Sequence, residues 1–321
     1  METERSARSP DGTASSPISG TQWMIESDGH EAVVVEVGGG LRAYRVDGAE
    51  LLDGYGPDEV CPGSAGQVLA PWPNRIRDGR YTFHGESYQL PLTEPAFNNA
   101  IHGLVNWLPW RCVERSAADV VVECDLWPLP GYPWPLRLRT RWSVGSGGLR
   151  AEHEATNLGA SACPFGLGTH PYLRPPGVDV AHTTLRVSAG SRLLTDGRGL
   201  PIGAAKVASG EFDFTEPRAI GSAILDTAFA DLQRDPDGLA TVTLSSVDDR
   251  VSVRVWADEA FGWWQVFTGD TLPGARLRRS MAVEPMTCPP DAFRSGRDLV
   301  TLRPGETWRG AWGIAPRMGE R

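Results

Sequence analysis

Short segments in which apolar and polar residues alternate recur along the chain from about residue 21 to residue 316. This period of two is typical of β-strands with one buried face. No window of a dozen residues shows the 3.6-residue period of an amphipathic helix, and helical segments do not alternate with strands as they would around a parallel sheet. The pattern therefore predicts an all-β protein made of one large antiparallel domain.

Two kinds of signal locate the strands and the loops between them. Alternating segments predict strands at residues 32–37, 41–46, 50–52, 81–83, 88–92, 119–126, 136–144, 149–156, 183–189, 240–245, 251–256, 263–268, 281–284, 300–302 and 308–314. The Asp47-Gly48 pair between two such segments predicts a tight hairpin turn. Residues 53–80 are predicted to be a loop, and residues 190–230 are poorly patterned and predicted to be rich in loops. The strand that starts at Met281 is predicted to stop at Pro285.

Both ends of the chain differ in composition from the part between them. Residues 1–20 are polar and rich in Ser, Gly and Pro, which predicts a disordered N-terminal tail. Residues 21–316 contain no clear linker and no internal repeat, so we expect them to form a single domain. Residues 317–321 are expected to be a short C-terminal tail.

Composition limits which binding partners and which cellular compartment are expected. The net charge of the 321-residue chain is −9 and no basic domain offsets it, which argues against nucleic acid and anionic membranes as partners. No stretch approaches about 18 apolar residues, and the N-terminus lacks a signal-like apolar run. The five cysteines are odd in number and form no CxxC pair, so neither a disulfide framework nor a zinc knuckle is predicted. We therefore expect a cytoplasmic protein with free thiols.

The stretch Phe165-Gly-Leu-Gly-Thr-His170-Pro-Tyr-Leu173 carries a titratable ring in an unusual setting. Pro171 biases His170 toward extended geometry and removes the next backbone donor, and the two glycines let the backbone approach whatever the imidazole faces. A histidine hydrogen-bonded in an ordinary loop has the same local sequence, so this stretch does not define a site by itself.

Other polar residues lie in contexts that would direct them into a pocket. On its predicted strand Gln265 shares a face with Trp263 and Phe267, and an amide between two aromatic rings suits a sugar, whose C–H face stacks while its hydroxyls form hydrogen bonds. Glu284 lies in an apolar run, where a carboxylate must be exposed, paired or functional. The remaining candidates, each with a structural alternative such as capping a turn, are Asn74, Arg75, His102 and Asp226.

No known cofactor motif accompanies these residues. The sequence contains neither GxxxxGK[ST] nor GxGxxG after a strand, and neither GxSxG nor HExxH. We therefore predict that no nucleotide, metal or other cofactor is bound.

Several short motifs occur in one order along the chain. They are Asn74-Arg-Ile76 with Gly79-x-Tyr-x-Phe83, Asn99-Ala-Ile-His102-Gly103, Gly168-x-His170-Pro-Tyr172, Leu225-Asp226, Gln265-Val-Phe-Thr268, Val283-Glu284-Pro285 and Leu302-Arg-Pro-Gly-Glu306. Together they resemble the aldose 1-epimerase (galactose mutarotase-like) family over residues 25–316. The chain departs from the family pattern at Leu104, where better-known sugar mutarotases have a second glycine, and at Thr93, where asparagine is common. Both departures concern the rim of the pocket and leave the identity of the sugar open.

The resemblance implies a large antiparallel β-supersandwich with a sugar bound in an open cleft on one sheet. It also implies an aldose 1-epimerase, an isomerase that interconverts the α and β anomers of a free aldohexose without a cofactor. Its partner would be a monosaccharide, and the protein would be a monomer or homodimer. The implied roles are catalytic base for Glu284, catalytic acid for His170, second active-site histidine for His102, and sugar binding for Arg75, Asp226, Gln265 and Asn74.

A carboxylate and an imidazole suit this chemistry. Ring opening removes the proton of the C1 hydroxyl and protonates the ring oxygen, and closure on the other face of the aldehyde reverses both transfers. Ordinary pKa values of about 4.3 for Glu and about 6.5 for His predict a pH window in which Glu284 is ionised and His170 is protonated. A neighbouring anion would raise the pKa of the histidine and widen that window.

Three alternatives stay open from the sequence. A hexose-6-phosphate mutarotase of the same fold would need basic residues that converge on the pocket. The candidates for that are Arg137, Arg139 and Arg141, which share one strand face and are otherwise expected to be solvated, and Arg276, Arg278 and Arg279. A non-catalytic carbohydrate-binding protein would need neither acid nor base. A glycoside hydrolase or lyase would use Asp226 and Glu284 as paired carboxylates.

Overall fold

The structure is a computed structural model that describes residues 16–319. Antiparallel strands make up most of its regular secondary structure. In this range the helical elements are the four-residue α1 (Ala292–Ser295) and three short 3-10 helices at Pro62–Ser64, Pro95–Phe97 and Gly274–Arg276. The predicted all-β class without long helices is therefore confirmed. None of the described helices has the length and apolar character that crossing a bilayer requires.

The described strands range in length from two residues to the eleven residues of the final strand. In chain order they are β1 (Gln22–Ser27), β2 (His30–Val35), β3 (Leu41–Val46), β4 (Ala49–Glu50), β5 (Val68–Leu69), β6 (Arg75–Arg77), β7 (Arg80–Phe83), β8 (Glu86–Gln89), β9 (Asn99–Ile101), β10 (Arg111–Arg115), β11 (Asp119–Leu126), β12 (Leu136–Gly145), β13 (Gly148–Asn157), β14 (Cys163–Phe165), β15 (Gly168–Thr169), β16 (Tyr172–Leu173), β17 (Thr184–Val187), β18 (Ala189–Thr195), β19 (Pro201–Lys206), β20 (Arg218–Ala219), β21 (Asp226–Leu232), β22 (Ala240–Ser245), β23 (Ser252–Ala257), β24 (Trp263–Phe267), β25 (Met281–Met286), β26 (Val300–Leu302) and β27 (Thr307–Arg317).

Two large sheets enclose the main core. One has nine strands in the order β10-β11-β12-β13-β27-β23-β22-β17-β20, and the other has eight, in the order β19-β18-β21-β24-β25-β15-β5 with β16 also paired to β25. Both sheets contribute to one buried apolar cluster, to which the first gives Trp142 and Trp312 and the second gives Trp264 and Val283. Burial of such apolar surface is the dominant favourable term in folding. The smaller sheets are β1-β2-β3-β4, β6-β9, β7-β8 and β14-β26.

The long strands of the nine-stranded sheet follow the alternation seen in the sequence. In β12 Leu138 and Trp142 face the core, whereas Arg137, Arg139 and Arg141 lie on the outer face. Arg137 forms an ion pair with Asp125 of the neighbouring β11, and Arg139 and Arg141 form ion pairs with Glu114 of β10, the next strand along. The stripe is therefore part of a charge-paired outer surface.

The predicted hairpin at Asp47-Gly48 is confirmed. Strand β3 ends at Val46 and β4 begins at Ala49. Both turn residues have positive φ, 48° at Asp47 and 80° at Gly48, as a two-residue type I′ turn requires. Asp and Gly tolerate that conformation, and its twist matches that of the flanking strands.

The structure differs from two predictions in where strands lie. Residues 190–230 are rich in loops but also hold β19, β20 and most of β18 and β21. The edge strand β19 is largely exposed, and in its neighbour β18 only Ala189 and Leu193 are buried, so burial imposes little alternation on their sequence. Strand β25 continues through Pro285 to Met286, so the predicted stop is wrong. On one side of β25 the adjacent segment is interrupted between β15 and β16, so the ladder is already broken there and a residue without a backbone N–H is tolerated. Residues 53–80 are mostly loop but include the short strands β5 and β6.

The chain ends are described only in part. Residues 1–15 of the predicted N-terminal tail and residues 320–321 of the predicted C-terminal tail lie outside the described residues. Ser19, which the sequence assigned to the tail, is buried and its backbone N donates to Pro57 O at 3.4 Å. At the other end β27 extends to Arg317. Packing on the domain therefore begins earlier, and the last strand ends later, than predicted.

One buried histidine in the main core forms hydrogen bonds with two neighbouring side chains. His153 is 1% exposed on the inner face of β13, and its Nδ1 is 2.9 Å from Thr140 Oγ1. Trp312 Nε1 donates to its Nε2 at 2.9 Å. Because an indole N–H only donates, Nε2 is the acceptor and Nδ1 carries the proton of a neutral ring. Burial lowers the pKa of His153 to about 3.

We expect His153 to weaken the fold as the solution is acidified. Between the ordinary pKa of 6.5 and about 3, the unfolded chain binds a proton that the folded chain does not, so the free energy of unfolding falls as pH falls. A His153→Gln variant should lose about 1–3 kcal/mol near neutral pH. Its stability should also depend less steeply on pH, by up to about 1.4 kcal/mol per unit. Urea denaturation of both proteins between neutral and mildly acid pH measures this, and parallel pH curves would contradict it.

Candidate active site

The outer face of the eight-stranded sheet carries a row of polar side chains between apolar ones. Along β24 the core-facing Trp264 and Val266 alternate with Gln265, which lies on the opposite face. Glu284 has the corresponding position on the neighbouring β25. The apolar side chains that flank them on this face are Trp263 and Met286 at one end and Phe267 and Ala282 at the other.

Strand register sets the spacing within this row. Gln265 and Glu284 are Cα partners across β24 and β25. On the other side, the pairs that β15 and β16 make with β25 put His170 opposite Glu284, and His170 Nε2 lies 3.4 Å from Glu284 Oε1. At the far end Gln265 Nε2 donates to Asp226 Oδ1, where β21 begins. We call His170, Glu284, Gln265 and Asp226 the polar row.

His170 is held by its backbone and by an aromatic neighbour. Its backbone N donates to Gln67 O at 3.2 Å, and its carbonyl accepts from Gly66 N at 2.8 Å. Its ring stacks on Tyr172 with 4.8 Å between centroids, and the Tyr172 hydroxyl donates to Gly63 O at 3.2 Å. These contacts leave the imidazole little freedom to turn away from Glu284.

Asn74 and His102 enter the site from two loops joined by a backbone hydrogen bond. His102 N donates to Asn74 O at 3.0 Å, while Asn74 Oδ1 accepts from Arg75 N at 2.9 Å. Both Asn74 and His102 have left-handed backbones, with φ of 54° and 63°. Such strained residues cluster at functional sites. The next residue, Gly103, has φ of 78°, and a Cβ there would meet a backbone oxygen at 2.1 Å, so the turn requires glycine.

Arg75 faces the far end of the polar row. Its Nη1 lies 3.8 Å from Asp226 Oδ2, and its Nε and Nη2 donate to both carboxylate oxygens of Glu94 at 2.9–3.1 Å. Burial lowers the pKa of Arg75, but the hydrogen bonds to Glu94 and the charges of Asp226, Glu94 and Glu284 more than offset this, and its pKa is raised. The guanidinium is therefore permanently charged.

Burial dominates the ionisation of the central pair. Glu284 is 2% exposed, and its burial, reinforced by the charge of Asp226 and opposed by that of Arg75, raises the pKa of its carboxyl well above the usual range. Burial lowers the pKa of His170 to about 4. Burial and the neighbouring His170 and Arg75 also hold the pKa of His102 well below its usual value.

These directions are the reverse of the pH window predicted from ordinary pKa values. Desolvation penalises the charged form of each group, and here it outweighs the attraction between the imidazole and the carboxylate. Burial therefore favours the neutral form of each group, a protonated Glu284 and an uncharged His170.

The site is a pocket of about 250 Å³ whose polar lining includes Asn74, Arg75, His102, His170, Asp226 and Glu284, together with Ser64, Tyr172 and Thr271. Glu284 Oε2, Gln265 Oε1 and His102 Nδ1 are buried without a hydrogen-bond partner among the described residues. Because buried polar atoms are nearly always paired, such a group is expected where a polar ligand supplies the partners. A groove of about 420 Å³ on the nine-stranded sheet is larger, but much of the charge that lines it is already ion-paired.

The structure brings together every site residue predicted from the sequence. All of them line the pocket except Gln265, which is buried behind it and contacts Asp226. Their roles in binding and catalysis stay predictions.

The basic residues considered for a phosphate do not line this pocket. The stripe on β12 lies on the outer face of the other sheet, with the core between it and the polar row. Arg276 and Arg279 are paired with the buried Asp53, and Arg278 is paired with Asp270. Arg75 is thus the one cation among the described residues that line the pocket.

The two departures from the family pattern also lie away from the pocket lining. Leu104 packs against the main core. Thr93 Oγ1 accepts from Ile101 N at 2.8 Å and donates to Ile101 O at 3.2 Å, which fixes the loop behind the pocket.

The contacts that support Arg75 were not predicted from the sequence. Glu94 contacts its guanidinium directly, Asn99 donates to Glu94, and Gly199 lies against the guanidinium plane. A weak signal existed for Gly199, since Asp196-Gly-Arg-Gly199 is a strong turn sequence within the region predicted to be loop. No signal linked Glu94 to Arg75, because neither residue type nor spacing defines such a pair.

Known proteins resemble this chain over most of its length. The sequence profile of the family described as Aldose 1-epimerase matches residues 22–314. The uncharacterised protein YihR of Escherichia coli (strain K12) is 33% identical over 292 residues, which cover 91% of this chain and 92% of YihR.

Solved structures show the same fold. A GalM/aldose epimerase homologue from C. elegans has a TM-score of 0.82 and 17% identity, covering 94% of this chain and 100% of that one. A galactose 1-epimerase from Lactobacillus acidophilus NCFM has a TM-score of 0.78 and 22% identity, covering 93% of this chain and 95% of that one. The predicted galactose mutarotase-like architecture is therefore confirmed.

We expect the Glu284 carboxyl to be protonated at neutral pH, because burial and Asp226 both raise its pKa. Infrared spectra of wild type minus Glu284→Gln should contain the carbonyl stretch of a protonated carboxyl. In Asp226→Asn the like charge is removed, so the band should vanish at lower pH than in wild type. A difference spectrum without this band at neutral pH would contradict the prediction.

Proposed function

Because the chain belongs to the aldose 1-epimerase family, we propose that it is an isomerase that interconverts the α and β anomers of a free aldohexose. The observation that carries this proposal is the buried pair of His170 and Glu284, whose Nε2 and Oε1 are 3.4 Å apart in the wall of the pocket. A group that gives a proton beside a group that takes one is what the reaction requires.

In the proposed reaction Glu284 takes the proton of the C1 hydroxyl while His170 gives a proton to the ring oxygen. The bond between C1 and the ring oxygen breaks with its electron pair going to that oxygen, and C1 becomes the carbonyl carbon of the open-chain aldehyde. Rotation about C1–C2 presents the other carbonyl face, and the reverse transfers close the ring. The protein and its protons are restored, so no metal, nucleotide or other cofactor takes part.

One proton shared by the pair is enough for this cycle. Burial favours that proton on Glu284, which leaves His170 neutral. Its transfer to His170 across the short separation gives the carboxylate base and the imidazolium acid. The two arrangements have the same net charge, and they exchange the roles of acid and base, as opening and closing of the ring require.

The sugar hydroxyls would be held at the other end of the polar row. Asp226 is 48% exposed at the pocket surface with Arg75 Nη1 3.8 Å away, so an acceptor and a donor face the same space. Gln265 orients Asp226 from behind. We assign Asn74 and His102 to the edge of the sugar.

The size and charge of the pocket favour a free monosaccharide. Its volume of about 250 Å³ is below the range of about 300–1,000 Å³ that is usual for ligand pockets, which suits one sugar ring better than two. Arg75, the one cation among the described residues that line the pocket, is already bound by Glu94. A phosphate would thus find no free positive charge, and a glycoside hydrolase would need room for a second sugar unit.

A purely carbohydrate-binding protein is less well supported. It would have no use for a buried acid–base pair, whose desolvation destabilises the fold.

Two further expectations accompany this function. The five cysteines are free thiols, three of them buried, which fits a reducing compartment such as the cytoplasm. We also keep the expectation of a monomer or homodimer.

Polarimetry on freshly dissolved α-D-glucose and α-D-galactose tests the function. Wild type should accelerate the approach to anomeric equilibrium, and Glu284→Gln and His170→Asn should each lower kcat by about 100-fold or more while still binding sugar. His182→Asn and Glu152→Gln alter an exposed histidine and a half-buried glutamate outside the pocket and serve as matched controls. Acceleration that survives Glu284→Gln would contradict the assigned base, and no acceleration by wild type would favour a binding protein.

The pH dependence of kcat/KM gives a second test. Burial lowers the pKa of His170 to about 4, so the rate should stay level as pH falls through 6.5 and decline only nearer 4. Below that pH both groups are protonated and no base remains. Circular dichroism at each pH establishes that the protein is still folded. A decline centred near 6.5 would show that His170 titrates as an exposed histidine does.

A further inference from the structure

Arg75 is held in a fixed position by residues behind the pocket. We propose that Glu94 and Gly199 form a cradle that fixes the position and neutralises the charge of the Arg75 guanidinium, and so makes the pocket select hydroxyl groups over anionic ones. This inference rests on the proposed function, in which Arg75 holds a sugar hydroxyl.

The first wall of the cradle is the Glu94 carboxylate. Arg75 Nε donates to its two oxygens at 2.9 and 3.1 Å, and Nη2 donates at 2.9 Å, with both side chains only 16% exposed. Asn99, which is fully buried, donates from Nδ2 to Glu94 Oε2 at 2.9 Å. The carboxylate is therefore itself held in place, and a paired, forked geometry of this kind is both strong and directional.

The second wall is the turn between β18 and β19. Gly199 has φ of 71°, and a Cβ at this position would lie 2.6 Å from Arg75 Nη1 and 2.9 Å from its Cζ. The turn is anchored by Arg198, whose Nη2 donates to Asp78 Oδ1 at 2.8 Å and to Asn99 Oδ1 at 3.1 Å. The glycine backbone thus lies directly against the guanidinium and leaves it no room to retreat.

The cradle leaves one nitrogen for the pocket. Nε and Nη2 are bound to Glu94, whereas Nη1 faces Asp226 at 3.8 Å. A hydroxyl that enters between them accepts a hydrogen bond from Nη1 and donates one to Asp226. An anion would accept from Nη1 but would also meet the negative charges of Asp226 and Glu94. Repulsion of this kind excludes the wrong ligand as effectively as attraction selects the right one.

Glu94→Gln tests the cradle. Its amide would present an N–H group to Arg75 or to Asn99, which are themselves donors, and the negative charge would be lost. We expect KM for α-D-glucose to rise by about tenfold or more, with a much smaller change in kcat, since a hydrogen bond to a charged group is lost in binding. The ratio of kcat/KM for glucose 6-phosphate to that for glucose should rise by about tenfold.

Companion variants separate charge from shape. Glu94→Asp keeps the charge and should restore the preference for glucose, with an intermediate KM. Gly199→Ala leaves the charge unchanged but displaces the guanidinium, so KM should rise without a change in preference. Glu114→Gln removes a carboxylate from the ion pairs with Arg139 and Arg141 on the other sheet and should alter neither quantity.

A readout independent of turnover distinguishes failure of the cradle from failure of the proposed function. In ¹⁵N spectra the Arg75 Nε–H signal, assigned by its loss in Arg75→Lys, should exchange slowly with solvent in wild type and in Glu114→Gln, and rapidly in Glu94→Gln. Slow exchange together with no mutarotation would overturn the proposed function and leave the cradle supported. Unchanged exchange, KM and preference in Glu94→Gln would overturn the cradle.

Discussion

The site depends on one physical constraint, the removal of the Glu284 carboxyl and the His170 imidazole from water. A charged group taken out of water carries a penalty of several kcal/mol, so each of these two groups is driven toward its neutral form. The register of β15, β16, β24 and β25 nevertheless fixes them 3.4 Å apart. A proton can therefore move between them without changing the net charge of the pair, and the backbone hydrogen bonds of His170 help to keep that separation.

Two kinds of construction meet in the pocket. The polar row is attached to strands, so its spacing follows from the backbone ladder and from alternation along β24 and β25. The remaining residues come from the short β6-β9 pair and its flanking loops, where Asn74 and His102 adopt left-handed backbones and Arg75, at the start of β6, is positioned by side chains. Ladder hydrogen bonds fix the polar row, whereas ion pairing fixes Arg75.

Much of this could be predicted from the sequence, and the failures have physical causes. Alternation located the buried strands but not the edge strand β19, because a largely exposed strand leaves no such pattern. Motif order located the polar row, whereas the contact between Arg75 and Glu94 arises from folding and has no local signature. The ionisation of the central pair was predicted in the wrong direction, since ordinary pKa values contain no term for burial.

The division between strand and loop has an evolutionary consequence. Loops tolerate replacement and insertion far better than paired strands do. The segments 94–99 and 196–200, which hold Arg75, could therefore diverge between descendants of this protein while the chemistry of the sheet is inherited unchanged. The sugar preference of the proposed epimerase would then change by exchange of these two segments, and a mutational library confined to them would sample that variation while the polar row is kept.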